Sequence, residues 1–170
     1  MAHVESSLGI GEEVIAKASI NKINVVVRGI IAGLWLLVFL VAGLSDDNGM
    51  VVAIGVIIAI LIVLKPIIAV TTTELAVTNK RVIGKTGLVS THSMDAPLNK
   101  INNITSSKKL LGAIFNYSQI VITTSSGSFK FDMIKDGEIF KQTVSRQIEV
   151  YDEERIKKQA KEMAAAMKTT

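Results

Sequence analysis

The sequence predicts an α+β membrane protein in which a two-helix transmembrane hairpin precedes an antiparallel β-domain closed by a C-terminal helix. Residues 25–70 are almost entirely aliphatic, and short β-branched runs separated by turn residues follow them. After Asp136 the hydrophobic residues recur at helical spacing. We divide the chain into an N-terminal arm (1–24), the hairpin (25–70), the β-domain (71–151) and a C-terminal helical extension (152–170).

Two apolar segments, at about 25–44 and 50–70, have the length of membrane-crossing helices. Twenty residues at about 1.5 Å per residue span roughly 30 Å, the thickness of the hydrocarbon core. A polar turn at 45–49 separates them. We expect Lys65 to snorkel to the interface and Pro66 to kink the last turn. The alternative is a buried helical hairpin of a soluble protein, but such helices normally carry a polar stripe.

The distribution of Lys and Arg predicts the orientation of the hairpin. The turn at 45–49 contains two Asp and no Lys or Arg, whereas basic residues flank the other end of both helices. The positive-inside rule therefore places both termini and the β-domain in the cytoplasm and the turn outside. Gly29 and Gly33 form a small-residue pair that either packs the hairpin or joins subunits.

Composition excludes several classes of function. The chain has no Cys, which removes disulfides, thiolate metal sites and cysteine nucleophiles. Its net charge of +4 comes almost entirely from residues 71–133. A modest basic excess beside a membrane suits an anionic leaflet. The excess is too small, and aromatic residues too few, for a nucleic-acid-binding surface.

The β-domain is predicted to begin with a hairpin of strands at 74–77 and 81–85. Asn79 is expected to adopt the left-handed conformation in the turn between them. Further strands are predicted at 90–95, at 101–107 with a bend or bulge, at 117–124 and at 128–133, with a loop or helical turn at 108–115. In the last strand, strict alternation places Phe129, Phe131 and Met133 on one face.

A helix then covers one open end of the sheet. Asp136 is its expected cap, and the stripe that packs on the sheet is Phe140, Val144, Ile148 and Tyr151. A polar break or a new start is predicted at 152–154. A second, weaker stripe follows at Ile156, Ala160, Met163 and Met167. It is interpreted as a frayed tail, an interfacial helix or a subunit contact.

Six or seven short antiparallel strands closed by one helix form the pleckstrin-homology (PH) architecture. The segments TELAVTNKRVIGKTGLVSTHSMDAPLNKINNI and LLGAIFNYSQIVITTSSGSFKFDMI resemble the PH-like domains of the bacterial YdbS-like membrane proteins. The opening IGEEVIAKAS also resembles that family, as does a hairpin before the domain. The most specific part is Thr78–Arg81 followed by Gly87. At 116–118 the family usually has an aromatic residue followed by Gly, and Asn116 is expected to supply the backbone freedom instead.

No catalytic motif is present, and we predict no enzyme activity, no cofactor and no metal site; the two histidines, His3 and His92, are interpreted as surface residues. The resemblance brings no catalytic residues and implies self-association. The first hypothesis is therefore a non-enzymatic scaffold at the bacterial cytoplasmic membrane, which forms a homo-oligomer or binds a protein partner. Its candidate helix-packing or oligomer contacts are Gly29, Gly33, Ile156, Ala160, Met163 and Met167.

The second hypothesis is a module that binds the headgroups of anionic membrane lipids. The basic first hairpin suggests it, because PH domains of the phosphoinositide-binding kind hold their headgroup site there. Its candidate contacts are Lys80, Arg81, Lys85, Lys108 and Lys109.

Overall fold

The computed structural model describes residues 2–45, 49–88 and 91–167. The helices in this part of the chain are α1 (Ala2–Ser6), α2 (Ile23–Ser45), α3 (Gly49–Thr72), α4 (Leu110–Ile114) and α5 (Gly137–Met167). The strands are β1 (Val14–Lys17), β2 (Ser19–Ile20), β3 (Glu74–Thr78), β4 (Arg81–Thr86), β5 (His92–Pro97), β6 (Ile101–Ser107), β7 (Tyr117–Thr124) and β8 (Gly127–Lys135). A 3₁₀ turn, Leu98–Lys100, joins β5 to β6.

The aliphatic segments form α2 and α3, which pack against each other as a hairpin. Both helices are long and apolar enough to cross a membrane. Pro66 lies inside α3, which continues to Thr72. Beyond the proline, the Thr71 and Thr72 hydroxyls donate to the Ile67 and Ile68 carbonyl oxygens. Of the predicted polar turn, residues 46–48 lie outside the described residues.

The strands form two antiparallel sheets, with strand orders β1-β3-β4-β5 and β2-β8-β7-β6 among the described residues. The sheets enclose one main core to which α5 also contributes. Its buried side chains include Leu75, Val77, Val82, Met94, Ile120, Ile122, Phe131, Ile134, Phe140 and Val144. Burial of these apolar surfaces is the main favourable term in folding. The predicted α+β class with a PH-like domain is confirmed.

The N-terminal arm contributes strands to both sheets. β1 pairs with β3, and β2 pairs with β8. The hairpin is therefore inserted between the second and third strands, and the N-terminal arm forms part of both sheets. The connections are short: Asn21 and Lys22 link β2 to α2, and Thr73 links α3 to β3.

β8 departs from the strict alternation expected of it. Ser118 pairs with Ile134 but Ile120 pairs with Phe131, so β8 contains one extra residue at this point. Met133 adopts a left-handed conformation, with φ of 62°. The resulting bulge buries Phe131 and Ile134 and leaves Met133 only half-buried, so the predicted orientation of Met133 is wrong.

The β3–β4 turn does not use a left-handed Asn79, because the non-glycine residues with positive φ, among those that the structure describes, are Asn116, Met133 and Asp136. The Thr78 hydroxyl holds this turn instead. Its oxygen accepts hydrogen bonds from the backbone N–H groups of Lys80 (3.2 Å) and Arg81 (3.0 Å). The backbone freedom expected at Asn116 is confirmed by its φ of 53°.

α5 is one uninterrupted helix of 31 residues, so the break predicted at 152–154 is wrong. Ion pairs between successive turns stabilise the helix in this polar stretch. Arg155 pairs with Asp152 (3.3 Å) and Lys157 pairs with Glu153 (3.4 Å). The expected packing stripe is confirmed. Phe140 and Val144 are buried in the core, and the partly buried Ile148 and Tyr151 pack against it.

Candidate functional site

Arg81 lies in an ion-pair cluster that ties the first hairpin to the N-terminal arm. Its Nε and Nη2 atoms donate to the two carboxylate oxygens of Glu12, each at 2.8 Å. Its Nη1 and Nη2 atoms also donate to Asp95 Oδ2 and to the Ser7 carbonyl oxygen. Four hydrogen bonds therefore fix this guanidinium in the fold.

The carboxylate of Glu12 is almost fully enclosed, with only 2% of its side chain exposed. Besides Arg81 it accepts hydrogen bonds from the Gly9 N–H and the Thr78 hydroxyl, both at 2.8 Å. The hydrogen bond from Arg81 is the largest cause that lowers the pKa of Glu12, to about 2, against the opposing effect of burial. In turn, the hydrogen bond to Glu12 raises the pKa of Arg81.

The neighbouring residues of the β3–β4 turn also bind the arm. Lys80 Nζ donates to the Ile10 carbonyl oxygen at 2.9 Å. The Asn79 side chain donates to the Gly11 carbonyl oxygen and accepts from the Glu13 N–H, both at 3.1 Å. The motif Thr78–Arg81 therefore forms the surface that binds residues 7–13 of the arm.

The five predicted headgroup-contact residues lie in different parts of the domain. We call the end where β2 and β3 join α2 and α3 the helix-proximal end, and the opposite end of β3 the distal end. β3 has five residues, about 16 Å at roughly 3.3 Å per residue. Lys80 and Arg81 follow its distal end, whereas Lys85 pairs with Glu74 at the helix-proximal end.

Lys108 and Lys109 lie near the beginning of α2. Lys109 lines one cavity together with Asn24, the second residue of that helix. Lys108 Nζ donates to Asn116 Oδ1 at 3.3 Å. Lys85, Lys108 and Lys109 are thus the predicted contacts that lie at or near the helix-proximal end.

A cleft of about 340 Å³ lies between the hairpin and the sheets at the helix-proximal end. Two cationic residues line it, Lys65 from α3 and Lys130 from β8, together with Asn24 and Asp132. The two lysines outnumber the one carboxylate, that of Asp132, so the lining of this cleft carries a net positive charge that suits an anionic group. Sequence reasoning missed Lys130 because Lys65, the other lysine that lines the cleft, is 65 positions earlier in the chain.

Gly55, and not Gly29 or Gly33, makes a close glycine contact between α2 and α3. A Cβ added at Gly55 would lie 2.4 Å from Phe39 Cβ, whereas at Gly29 or Gly33 it would meet nothing within 4 Å. Ala32 is buried in α2, one position before Gly33. The surface at Gly29 and Gly33 therefore has room for a contact from outside the hairpin.

The second α5 stripe does not contact the rest of the domain. Residues 153–167 are all exposed. Ile156, Met163 and Met167 are 60%, 68% and 82% exposed, and Ala160 lies between them on the same face. These side chains are available on the surface of a single chain.

The described residues contain no group of three His, Asp or Glu side chains that could hold a metal ion. His92 is exposed on β5, and the side chain of His3 lies outside the described part. Glu12, which holds Arg81 in the fold, is not among the residues predicted from the sequence. The signal for it was present in IGEEVIAKAS, the stretch that resembles the opening of the bacterial PH-like proteins.

Comparison with known proteins agrees with this architecture. The family model described as Bacterial PH domain matches residues 18–164. The match includes β2, the two long helices, β3 to β8 and most of α5. No curated protein and no solved structure gave a significant match. Because the match spans well over half of a chain with two antiparallel sheets and a closing helix, this chain belongs to the bacterial PH-domain family.

Proposed function

We propose that this chain is a membrane-anchored, non-enzymatic scaffold of the YdbS-like type, which assembles with further copies of itself or binds a protein partner. PH-like domains are generally non-catalytic binding modules, which supports this class of function. The proposed location is the cytoplasmic face of a bacterial cytoplasmic membrane, with α2 and α3 as the anchor and both termini in the cytoplasm.

The anchor is proposed from the composition of α2 and α3 and from their connections. The described parts of both helices carry only cationic charges, Arg28 and Lys65, and each lies toward the β-domain end of its helix. This placement follows the positive-inside rule for a cytoplasmic domain. Links of one and two residues to the sheets leave the domain little freedom to turn relative to the bilayer.

The observation that carries the assembly proposal is the exposed second half of α5. Positions 156, 160, 163 and 167 are spaced by four, three and four residues, as in the seam of a coiled coil. Two ion pairs within the helix, Arg155 with Asp152 and Lys157 with Glu153, add to the stability of the helix in this half. An exposed apolar seam on a stable helix is suited to packing against a second helix.

The test is the native mass of the full chain in a mild detergent, corrected for bound detergent, for the wild type and two double variants. The first variant carries Ile156→Glu and Met163→Glu, which place two negative charges in the seam. The control carries Lys158→Gln and Lys161→Gln, which change the net charge by the same amount on the opposite face of α5.

We expect a defined oligomer for the wild type and the control, and a smaller species for the seam variant. If the seam variant stays oligomeric, the contact between subunits lies elsewhere, for example at Gly29 and Gly33. A monomeric wild type would overturn self-assembly and leave binding of a different protein partner.

A second candidate function, binding of anionic lipid headgroups, is favoured by the cleft that contains Lys65 and Lys130. It differs from the sequence-based hypothesis in its location, since Arg81 is held by Glu12 and Lys80 lies at the distal end. We expect Lys65→Gln with Lys130→Gln to reduce the anionic lipid retained on purification, measured by native mass spectrometry. Lys80→Gln is the control, and equal retention in all three proteins would rule out this cleft.

A further inference from the structure

α4 and the residue after it form the densest group of exposed large apolar side chains outside α2 and α3. Leu110, Leu111, Ile114 and Phe115 are 83%, 58%, 68% and 40% exposed. We call these four residues the α4 patch. Apart from the two long helices, no other stretch of six described residues exposes four such side chains. Contiguous apolar surface of this kind marks a site of interaction.

The fold holds α4 in one position against β7. A Cβ added at Gly112 would lie 2.4 Å from the Tyr117 carbonyl oxygen, so only glycine permits this close approach. Because Gly112 faces the sheet, Leu110 and Ile114, four residues apart, project together from another face of the helix. The patch is therefore a fixed feature of the domain surface.

Asn21 attaches the α4 patch to the beginning of α2. Its side-chain amide donates to the Phe115 carbonyl oxygen at 2.7 Å, and its Oδ1 accepts from the Ile23 N–H at 2.8 Å. Ile23 is the first residue of α2. The apolar surface of α4 consequently lies beside the point where the first long apolar helix leaves the domain.

We infer that the α4 patch inserts into the interfacial region of the bilayer leaflet that α2 and α3 enter. The patch lies next to the hairpin, and the cationic Lys108 and Lys109 directly precede it in the chain, as suits a surface with anionic headgroups. The inference rests on the membrane anchoring in the proposed function and is independent of self-assembly. Its consequence is a third point of contact that fixes the tilt of the domain against the membrane.

The experiment uses the absence of cysteine from the natural sequence. Single variants of the full chain, Leu110→Cys, Ile114→Cys and Ile10→Cys, are labelled with an environment-sensitive fluorophore. Each is reconstituted into nanodiscs of phosphatidylcholine and phosphatidylglycerol. Ile10 is the control because it is 101% exposed and its carbonyl oxygen binds Lys80 at the distal end.

We expect blue-shifted emission and quenching by brominated lipid at positions 110 and 114, and quenching by aqueous iodide alone at position 10. Labels at 110 and 114 that respond like the label at 10 would overturn the inference. Shielding seen only in discs with several chains would also overturn it, by assigning the patch to a subunit contact.

A further variant, Leu37→Cys in the middle of α2, separates failure of the inference from failure of the anchor. Quenching by brominated lipid at position 37, without quenching at 110 and 114, rejects insertion of α4 and retains the membrane anchor. Absence of lipid quenching at position 37 rejects the anchor and with it the insertion of α4.

Discussion

At the scale of single residues, Glu12 connects the two segments of the chain that the hairpin separates. Its carboxylate joins the N-terminal arm to Arg81, which lies 69 positions later. Hydrogen bonds to charged groups typically contribute about 1.5–3 kcal/mol each, and loss of a buried partner costs more than an exposed pair would. The Glu12–Arg81 pair is therefore the charged part of a set of contacts that hold the arm on the β3–β4 turn, together with the hydrogen bonds of Asn79 and Lys80.

We predict that Glu12→Gln lowers the free energy of unfolding by roughly 2 kcal/mol, because the amide removes the charge that Arg81 pairs with. Glu13→Gln is the matched control, since Glu13 is the neighbouring exposed acid. We expect it to change stability by less than about 0.5 kcal/mol. Thermal unfolding in mild detergent measures both, and equal effects would show that the Glu12 ion pair contributes no stability.

The low pKa of Glu12 predicts how this stabilisation depends on pH. The pKa of Glu12 in the folded protein is about 2, below the value of 4.5 for a free Glu carboxyl. A lowered folded pKa means that the stabilisation is fully present above about pH 5 and is lost as the pH falls toward 2. The difference in unfolding temperature between wild type and Glu12→Gln should shrink over that range. A difference that stays constant from pH 7 to pH 3 would contradict the assignment.

At the scale of elements, the packing of α2 on α3 depends on Gly55. A Cβ at this position would clash with the Phe39 side chain, so we predict that Gly55→Ala forces the two helices apart. Gly33→Ala is the control in the other helix, because a Cβ there meets nothing within 4 Å. We expect the control to keep the hairpin intact, with a small gain in helix propensity.

Distances between spin labels on α2 and α3 measure this effect. Widening in Gly55→Ala but not in Gly33→Ala is the expected result, and no change in either variant would contradict the predicted clash. A Gly33→Ala protein with an intact hairpin and a changed native mass would identify this face as a subunit contact.

At the scale of the whole molecule, α5 has two halves in different surroundings. Its first half closes the sandwich, and residues 153–167 extend beyond it into solvent. We predict that a chain ending at Tyr151 keeps its stability to within about 0.5 kcal/mol and loses self-assembly. Native mass and thermal unfolding, measured on the same sample, check both parts.

Val144→Ala in the full chain should have the opposite effect, with lower stability and unchanged self-assembly. Val144 has no exposed surface, so its truncation should cost roughly 2–3 kcal/mol while the seam of α5 stays intact. We expect a lower unfolding temperature with the native mass unchanged. A truncated chain that unfolds as easily as Val144→Ala would show that the second half of α5 supports the fold.

Features that depend on nearby residues were predictable from the sequence. The aliphatic segments define α2 and α3 to within one or two residues, and alternation gives β7 its observed bounds, because both signals are periodic over short stretches. The packing stripe of α5 is visible for the same reason. The PH-like architecture followed from the order of these elements together with the resemblance.

Only the tertiary structure determined the features that join distant residues. β1 and β2 have four and two residues, too few for a periodic signal, and their partners lie beyond the hairpin. Nothing in the sequence shows that Arg81 is paired, since only the fold brings Glu12 against it. Likewise, only strand pairing separates Lys85 at the helix-proximal end from Lys80 at the distal end, because the distance of a residue from α2 and α3 depends on the whole path of the chain.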